Sequence, residues 1–263
     1  MNITNGLQEK PPRIVLSGTN GVGKSTFASQ MPKPLFLDLE KGTNHLDVNR
    51  VQNLSNYAEV LDVIHELLDK KEDKFKTLVI DSLDFLEALI HKSIVQQFNK
   101  REPGIEDISD IAFGKGYSHS LSELRKFLGL LDQLVEKNNM MICLICHTQN
   151  TTKNDPMLEP YSFISLKLHQ KASSLVKEWS DFLLFANFDT RTIQRGEGFN
   201  KKTIAVGSDS RILHTSGSTS FEAKSRRPLT DENGRHQIPL SYNAFKKAYS
   251  QSKVVKKENV NVA

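Results

Sequence analysis

Residues 18–26 read Gly18-Thr19-Asn20-Gly21-Val22-Gly23-Lys24-Ser25-Thr26, a complete G-x-x-x-x-G-K-S phosphate-binding loop. An apolar run, Ile14, Val15 and Leu16, precedes it. Phe27, Ala28, Ser29, Gln30 and Met31 follow as a helix-forming stretch, so the strand–loop–helix context is present. Glycines at 18, 21 and 23 let the backbone turn tightly and aim successive N–H groups at phosphate oxygens. Lys24 is expected to reach the β- and γ-phosphates and Ser25 to place its hydroxyl on Mg²⁺, with the helix start adding partial positive charge. The string predicts binding of a nucleoside triphosphate together with Mg²⁺.

Composition sets the frame. The chain has 263 residues, 38% hydrophobic and 25% charged, enough for one α/β domain with an extension. No apolar run approaches the roughly 20 residues of a membrane-spanning helix. The start, Met1 to Lys10, lacks the apolar stretch of a secretion signal, so a cytoplasmic protein with no membrane partner is expected. The formal charge is +4, weighted towards Lys246, Lys247, Lys253, Lys256 and Lys257 near the end, which suits a polyanionic partner. Cys143 and Cys146 fall in the apolar run Met140 to Cys146 and read as core residues rather than as a metal or redox pair.

From Arg13 onwards short apolar runs alternate with amphipathic helices, the pattern of a mostly parallel twisted sheet with helices on both faces. Strands are expected at Ile14 to Ser17, Pro34 to Leu39, Arg50 to Asn53, Thr77 to Asp81, Met140 to Cys146, Asp181 to Asn187 and Thr203 to Gly207. Helices are expected at Tyr57 to Leu68, behind Ser55 and Asn56 as capping candidates, at Leu83 to Phe98 and Ser118 to Val135, and beyond Ser241. Segments Lys100 to Gly116, Gln149 to Leu166 and Thr215 to Gly234 break the rhythm as long loops. The divisions are an arm over residues 1–12, a core over 13–229 and a C-terminal extension over 230–263 that ends in a Lys-rich tail.

Three strand ends carry candidate chemistry. Leu78, Val79 and Ile80 run into Asp81 and Ser82, the pattern in which a strand-end carboxylate holds Mg²⁺ near the phosphates. The strand after the phosphate-loop helix ends Asp38-Leu39-Glu40, whose two carboxylates, two residues apart, are expected to point the same way as in an ideal strand, with Glu40 placed to orient or deprotonate an attacking water. Residues 141–146 end in His147-Thr148-Gln149, which offers His147, with Gln149 in reserve, as a γ-phosphate sensor.

Together these ordered features resemble the RecA-like ATPase core, and within it the phage nucleotide-binding proteins associated with single-strand annealing. The resemblance runs approximately from Pro12 to Leu229 and implies a RecA-like P-loop fold that assembles as a homo-oligomer, a ring or filament. It implies that Lys224 and Arg226, a basic pair one residue apart, reach a neighbouring subunit's γ-phosphate and join Lys24, Glu40 and His147 in catalysis. A basic loop touching DNA, or a solvated one, is the alternative for that pair. The implied partners are single-stranded DNA, in annealing or mediator work within phage recombination, and a single-strand-binding protein. Lys153, Tyr161, Phe163 and Lys167 after His147, and Lys115 with Tyr117 earlier, are the candidate DNA contacts; Tyr161 and Phe163 serve equally as loop anchors. The rival expectations are a nucleotide-holding DNA-binding module without hydrolysis, a ring helicase motor and a small-molecule phosphotransferase.

Overall fold

The computed structural model describes residues 3–6, 8–70, 74–154, 157, 159–195 and 202–252, with backbone alone from 190 to 195 and from 202 to 207. The Lys-rich tail at Lys253, Lys256 and Lys257 lies outside the described residues. Two compact units divide the chain. One comprises the chain up to Ile14, Pro32–Leu144 and Leu168–Ser180; the other comprises Val15–Met31, Ile145–Lys167 and the chain from Asp181.

Strand β1 (Arg13–Gly18) leads into helix α1 (Lys24–Ser29). In the first unit β2 (Pro34–Asp38) and β3 (Asn49–Val51) pair in parallel, α2 (Tyr57–Asp69) follows, and β4 (Thr77–Asp81) pairs in parallel with β2. Next come α3 (Leu83–Asn99), α4 (Lys115–Asn138) and β5 (Met141–Cys146), in strand order β5-β4-β2-β3. The apolar runs decide this. Leu78, Val79, Ile80, Ile142 and Leu144 are wholly buried, as continuous runs are when both sheet faces are covered. Asn56 caps α2 by accepting the Glu59 N–H. Helix α4 buries Leu124, Leu128, Leu131 and Val135 along one stripe, as its spacing predicts. It begins three residues before the expected Ser118, at Lys115, because Phe113 and Gly114 adopt left-handed backbone and set its start.

The second unit holds a hairpin of β6 (Thr148–Lys153) and β7 (Tyr161–Leu166), where sequence pattern predicts a loop. Helix α5 (Gln170–Trp179) belongs to the first unit and leads to β8 (Phe182–Arg195) and β9 (Lys202–His214), both in the second. These pair antiparallel and run well beyond the expected Asp181 to Asn187 and Thr203 to Gly207. Short strands β10 (Lys224–Ser225) and β11 (Gln237–Pro239) add antiparallel partners to β8 and β9, and the order is β11-β9-β8-β1. Helix α6 (Tyr242–Gln251), capped by Ser241, sets Tyr242 and Phe245 edge-on against Phe27 of α1. The chain is thus an α/β P-loop fold, parallel around β2 to β4, with its antiparallel strands late in sequence. Cys143 and Cys146 are buried, as their apolar run requires, and form no disulfide; burial pushes the Cys143 thiol well above its usual range.

Candidate functional site

The phosphate loop lies in the second unit. Gly21 and Gly23 sit at φ 74° and 103°, left-handed values that side chains rarely adopt, so the glycines are required by the turn itself. Gly18 is required for space, since a Cβ there would stand 2.4 Å from the Ala186 carbonyl oxygen of β8. Ser17 Oγ donates to the Leu184 carbonyl oxygen at 3.1 Å and ties the end of β1 to the same strand. Lys24 is 7% exposed and turns into the loop, donating from Nζ to the carbonyl oxygens of Gly18 at 2.9 Å and Thr19 at 3.0 Å. A buried ammonium aimed along a glycine turn is the donor set that a polyphosphate needs.

Sequence pattern did not single out Arg211. Its Nη1 lies 2.8 Å from where a Cβ on Gly23 would be, its guanidinium is 5.8 Å from the Phe188 ring centre, and its carbonyl accepts the Leu240 N–H. This exposed strand residue sets a second cation against the loop.

In the first unit the ends of β2 and β4 meet. Asp38 pairs in register with Asp81, and the Leu39 and Glu40 N–H groups both donate to the Asp81 carbonyl oxygen, at 2.8 and 3.3 Å. Glu40 and Asp81 therefore share one strand edge, as their positions in sequence suggest. Asp81 is 6% exposed and Ser82 Oγ donates to Asp84. Asp38 is committed elsewhere: its carboxylate accepts from Gly42 N–H and from Thr43 N–H and Oγ1, bracing the turn. The expectation that Asp38 and Glu40 point the same way is corrected by the end of β2 at Asp38, beyond which strand alternation no longer applies.

His147, in the second unit, is half-buried at the junction of β5 and β6, and its carbonyl accepts the Lys167 N–H at 2.9 Å. Gln149 donates to the Leu166 carbonyl oxygen, bracing the hairpin. On that hairpin Lys153 is exposed, with its ammonium 4.9 Å from the Phe163 ring centre and 6.0 Å from that of Tyr161. Phe163 is 7% exposed and its neighbour Ile164 bonds to Ser220 and Glu222, so Phe163 is an anchor and offers no free ring to a nucleic acid base. Lys167 and Lys115 are exposed, while Tyr117 stacks on His169 at 4.4 Å. Lys224 lies on β10 opposite Leu183. Arg226 extends the same edge, donating N–H to the Asp181 carbonyl, with its side-chain Nε 3.5 Å from the Asp181 carboxylate.

A glycine loop closed by a buried lysine, on a strand-to-helix turn, defines the P-loop nucleotide-binding class. The chain belongs to the AAA domain family, which it matches over residues 10–227. It is 26% identical over 134 residues to the SPbeta prophage-derived uncharacterized protein YorG of Bacillus subtilis (strain 168), an alignment covering 49% of this chain. The chain spans 40% of the length of that curated relative. The crystal structure of the RadB recombinase is similar at 14% identity and TM-score 0.41, covering 78% of this chain and 80% of that one. Among the described residues no helix is long and apolar enough to cross a membrane.

Proposed function

We propose that this chain is a Mg²⁺-dependent ATPase that acts on single-stranded DNA in phage recombination, in annealing or mediator work, as a ring or filament. The observation that carries the proposal is the phosphate loop: Gly21 and Gly23 in left-handed turns, with Lys24 buried and aimed along them. These residues fit a triphosphate, because successive N–H groups and one ammonium supply donors where its oxygens gather charge.

On the logic of the motif, the loop Gly18 to Thr26 holds the phosphates, and Ser25 with Asp81 holds Mg²⁺, which when bound neutralises charge on the β- and γ-phosphates. Glu40, tethered through its N–H to the Asp81 carbonyl, serves as the group that orients or deprotonates water. His147, between β5 and the hairpin, serves as sensor, since a residue there can pass a change at the phosphates to β6. Lys224, on β10, and Arg226, in the bend just after it, act on the neighbouring copy's nucleotide.

The DNA assignment is supported by exposed Lys153 and Lys167 with half-buried Tyr161 on and beside the hairpin. A phage setting is supported by the prophage-derived relative. The testing experiment is ATP turnover with and without single-stranded DNA in wild type, Lys24→Ala and Glu40→Gln. Turnover stimulated by DNA and lost in both variants is expected. Annealing that persists unchanged in Glu40→Gln would instead leave a nucleotide-holding module.

A further inference from the structure

Asp38 is 1% exposed at the end of β2, and among the described residues no lysine or arginine pairs with its carboxylate. A buried carboxylate needs donors in place of water. Three come from one turn: the Gly42 N–H at 3.0 Å, the Thr43 N–H at 3.3 Å and Thr43 Oγ1 at 2.6 Å. Gln52, one residue past β3, reaches the same group with Nε2 at 3.5 Å. Thr43 is itself wholly buried. These bonds close a loop from Asp38 to Thr43 around Glu40 and Lys41.

That loop is held tightly. Lys41 keeps φ 58°, a left-handed value uncommon outside glycine. Such backbone persists where its surroundings over-determine it, and it gathers at functional sites. From the β4 side the Asp81 carbonyl oxygen accepts the Leu39 and Glu40 N–H groups. The Glu40 backbone is therefore fixed from two directions, by β4 and by the last carboxylate of its own strand.

Stability alone does not explain a charge in this place, because replacing buried ions by apolar groups is often neutral or stabilising. What a carboxylate adds is geometry, since its two oxygens take several donors at once and set their directions. The turn so fixed carries the residue to which water activation is assigned above.

We infer that Asp38 and Thr43 are positioning residues for ATP hydrolysis, their bracket setting the Glu40 carboxylate for its water. Committed to the turn, Asp38 is not itself the base. The inference rests on the assignment of Glu40 as the group that orients or deprotonates water. A misplacement of about 1 Å at such a group costs on the order of a hundredfold in rate.

The test is ATP turnover by the full chain, at steady state and in single-turnover assays, with thermal melting as the check on folding. Thr43→Val keeps the shape and removes the hydroxyl, whereas Thr43→Ser keeps the hydroxyl. Thr43→Val should lower kcat by about tenfold to a hundredfold, with the KM for ATP within about twofold of wild type. Thr43→Ser should turn over as wild type does. Asp38→Asn, which sets an amide donor against the donors of the turn, should fall with Thr43→Val. Because the bracket acts through Glu40, Thr43→Val should bring no further loss in a Glu40→Gln background. If Thr43→Val does not melt cooperatively, Gln52→Ala at the exposed end of the bracket takes its place, with a smaller fall in kcat expected. A wild-type rate in Thr43→Val or in that substitute, an equal fall in Thr43→Ser, or the same loss with and without Glu40 would overturn the proposal. Glu40→Gln at the wild-type rate would instead remove the assignment of Glu40, and the proposal with it.

Discussion

Replacing Gly18 by alanine tests the close approach of the phosphate loop to β8. The new methyl carbon would meet the Ala186 carbonyl oxygen at 2.4 Å, its Cβ at 3.1 Å and its carbonyl carbon at 3.2 Å. Carbon–oxygen contacts between strands settle near 3.3–3.6 Å, so the backbone of β8 must retreat by about 1 Å, and backbone yields less readily than a side-chain tip. Overpacking of this kind costs roughly 1–3 kcal/mol. Losing the neighbouring Ser17–Leu184 bond adds about 1 kcal/mol. At roughly 2–4 °C per kcal/mol for a chain of this size, melting should fall by roughly 5–15 °C. Thermal unfolding without nucleotide is the assay, with two internal standards. Gly21→Ala meets nothing within 4 Å and carries only the strain of φ 74°, about 1–2 kcal/mol. Gly129→Ala, on the exposed side of α4 with open space around it, should gain about 0.5–1 kcal/mol. The expected order of melting is Gly129→Ala, wild type, Gly21→Ala, Gly18→Ala. A Gly18→Ala protein that melts with wild type would refute the reasoning.

Three further outcomes follow from the geometry. Arg211→Ala should weaken ATP binding by about tenfold, or 1.4 kcal/mol, with Arg211→Lys recovering part of it in a calorimetric titration; unchanged affinity would mean that the guanidinium beside Gly23 serves only packing. Burial pushes the Glu87 carboxyl up to about 7, with the His169 N–H bond working against the rise and Asp84 adding to it. The folded protein then keeps a proton that the unfolded chain releases near its ordinary pKa, about 4.3. Stability from this group therefore falls as pH rises from about 4.5 to 7 and is level above. Relative to Glu87→Gln, wild type should lose up to about 3 kcal/mol across that window in denaturant melts, whereas a flat difference would contradict it. Lys24→Ala and Arg226→Ala should each lack ATP turnover and regain a measurable fraction when mixed, since one supplies an intact loop and the other an intact cation; continued silence would exclude action between copies.

What the sequence disclosed depended on how local its physics was. The runs at Ile14, Leu78 and Ile142 announce buried strands because apolar continuity is written in consecutive residues. Asn56 announces α2 because a cap acts within three residues. The hairpin of β6 and β7 escaped notice because Thr148 to Lys153 are polar on both faces, which leaves no alternation to read, and their pairing with Tyr161 to Leu166 is set by register. The early start of α4 escaped because Phe113 gives no compositional sign of left-handed backbone. In the candidate site, the strand–turn–helix setting of the loop and the end of β4 at Asp81 were legible as strings. Arg211 was not, because its approach to Gly23 is made by the pairing of β9 with β8, far away in sequence. Asp38 misled because strand geometry was carried past the residue where β2 stops.

The central claim is that the loop from Gly18 to Thr26 holds ATP through Lys24. Calorimetric titration of ATP with Mg²⁺ into wild type and Lys24→Ala, at matched folding by thermal melt, tests it most directly. Saturable binding by wild type and its loss in Lys24→Ala are predicted; no binding by wild type, or equal binding by both, would contradict the claim.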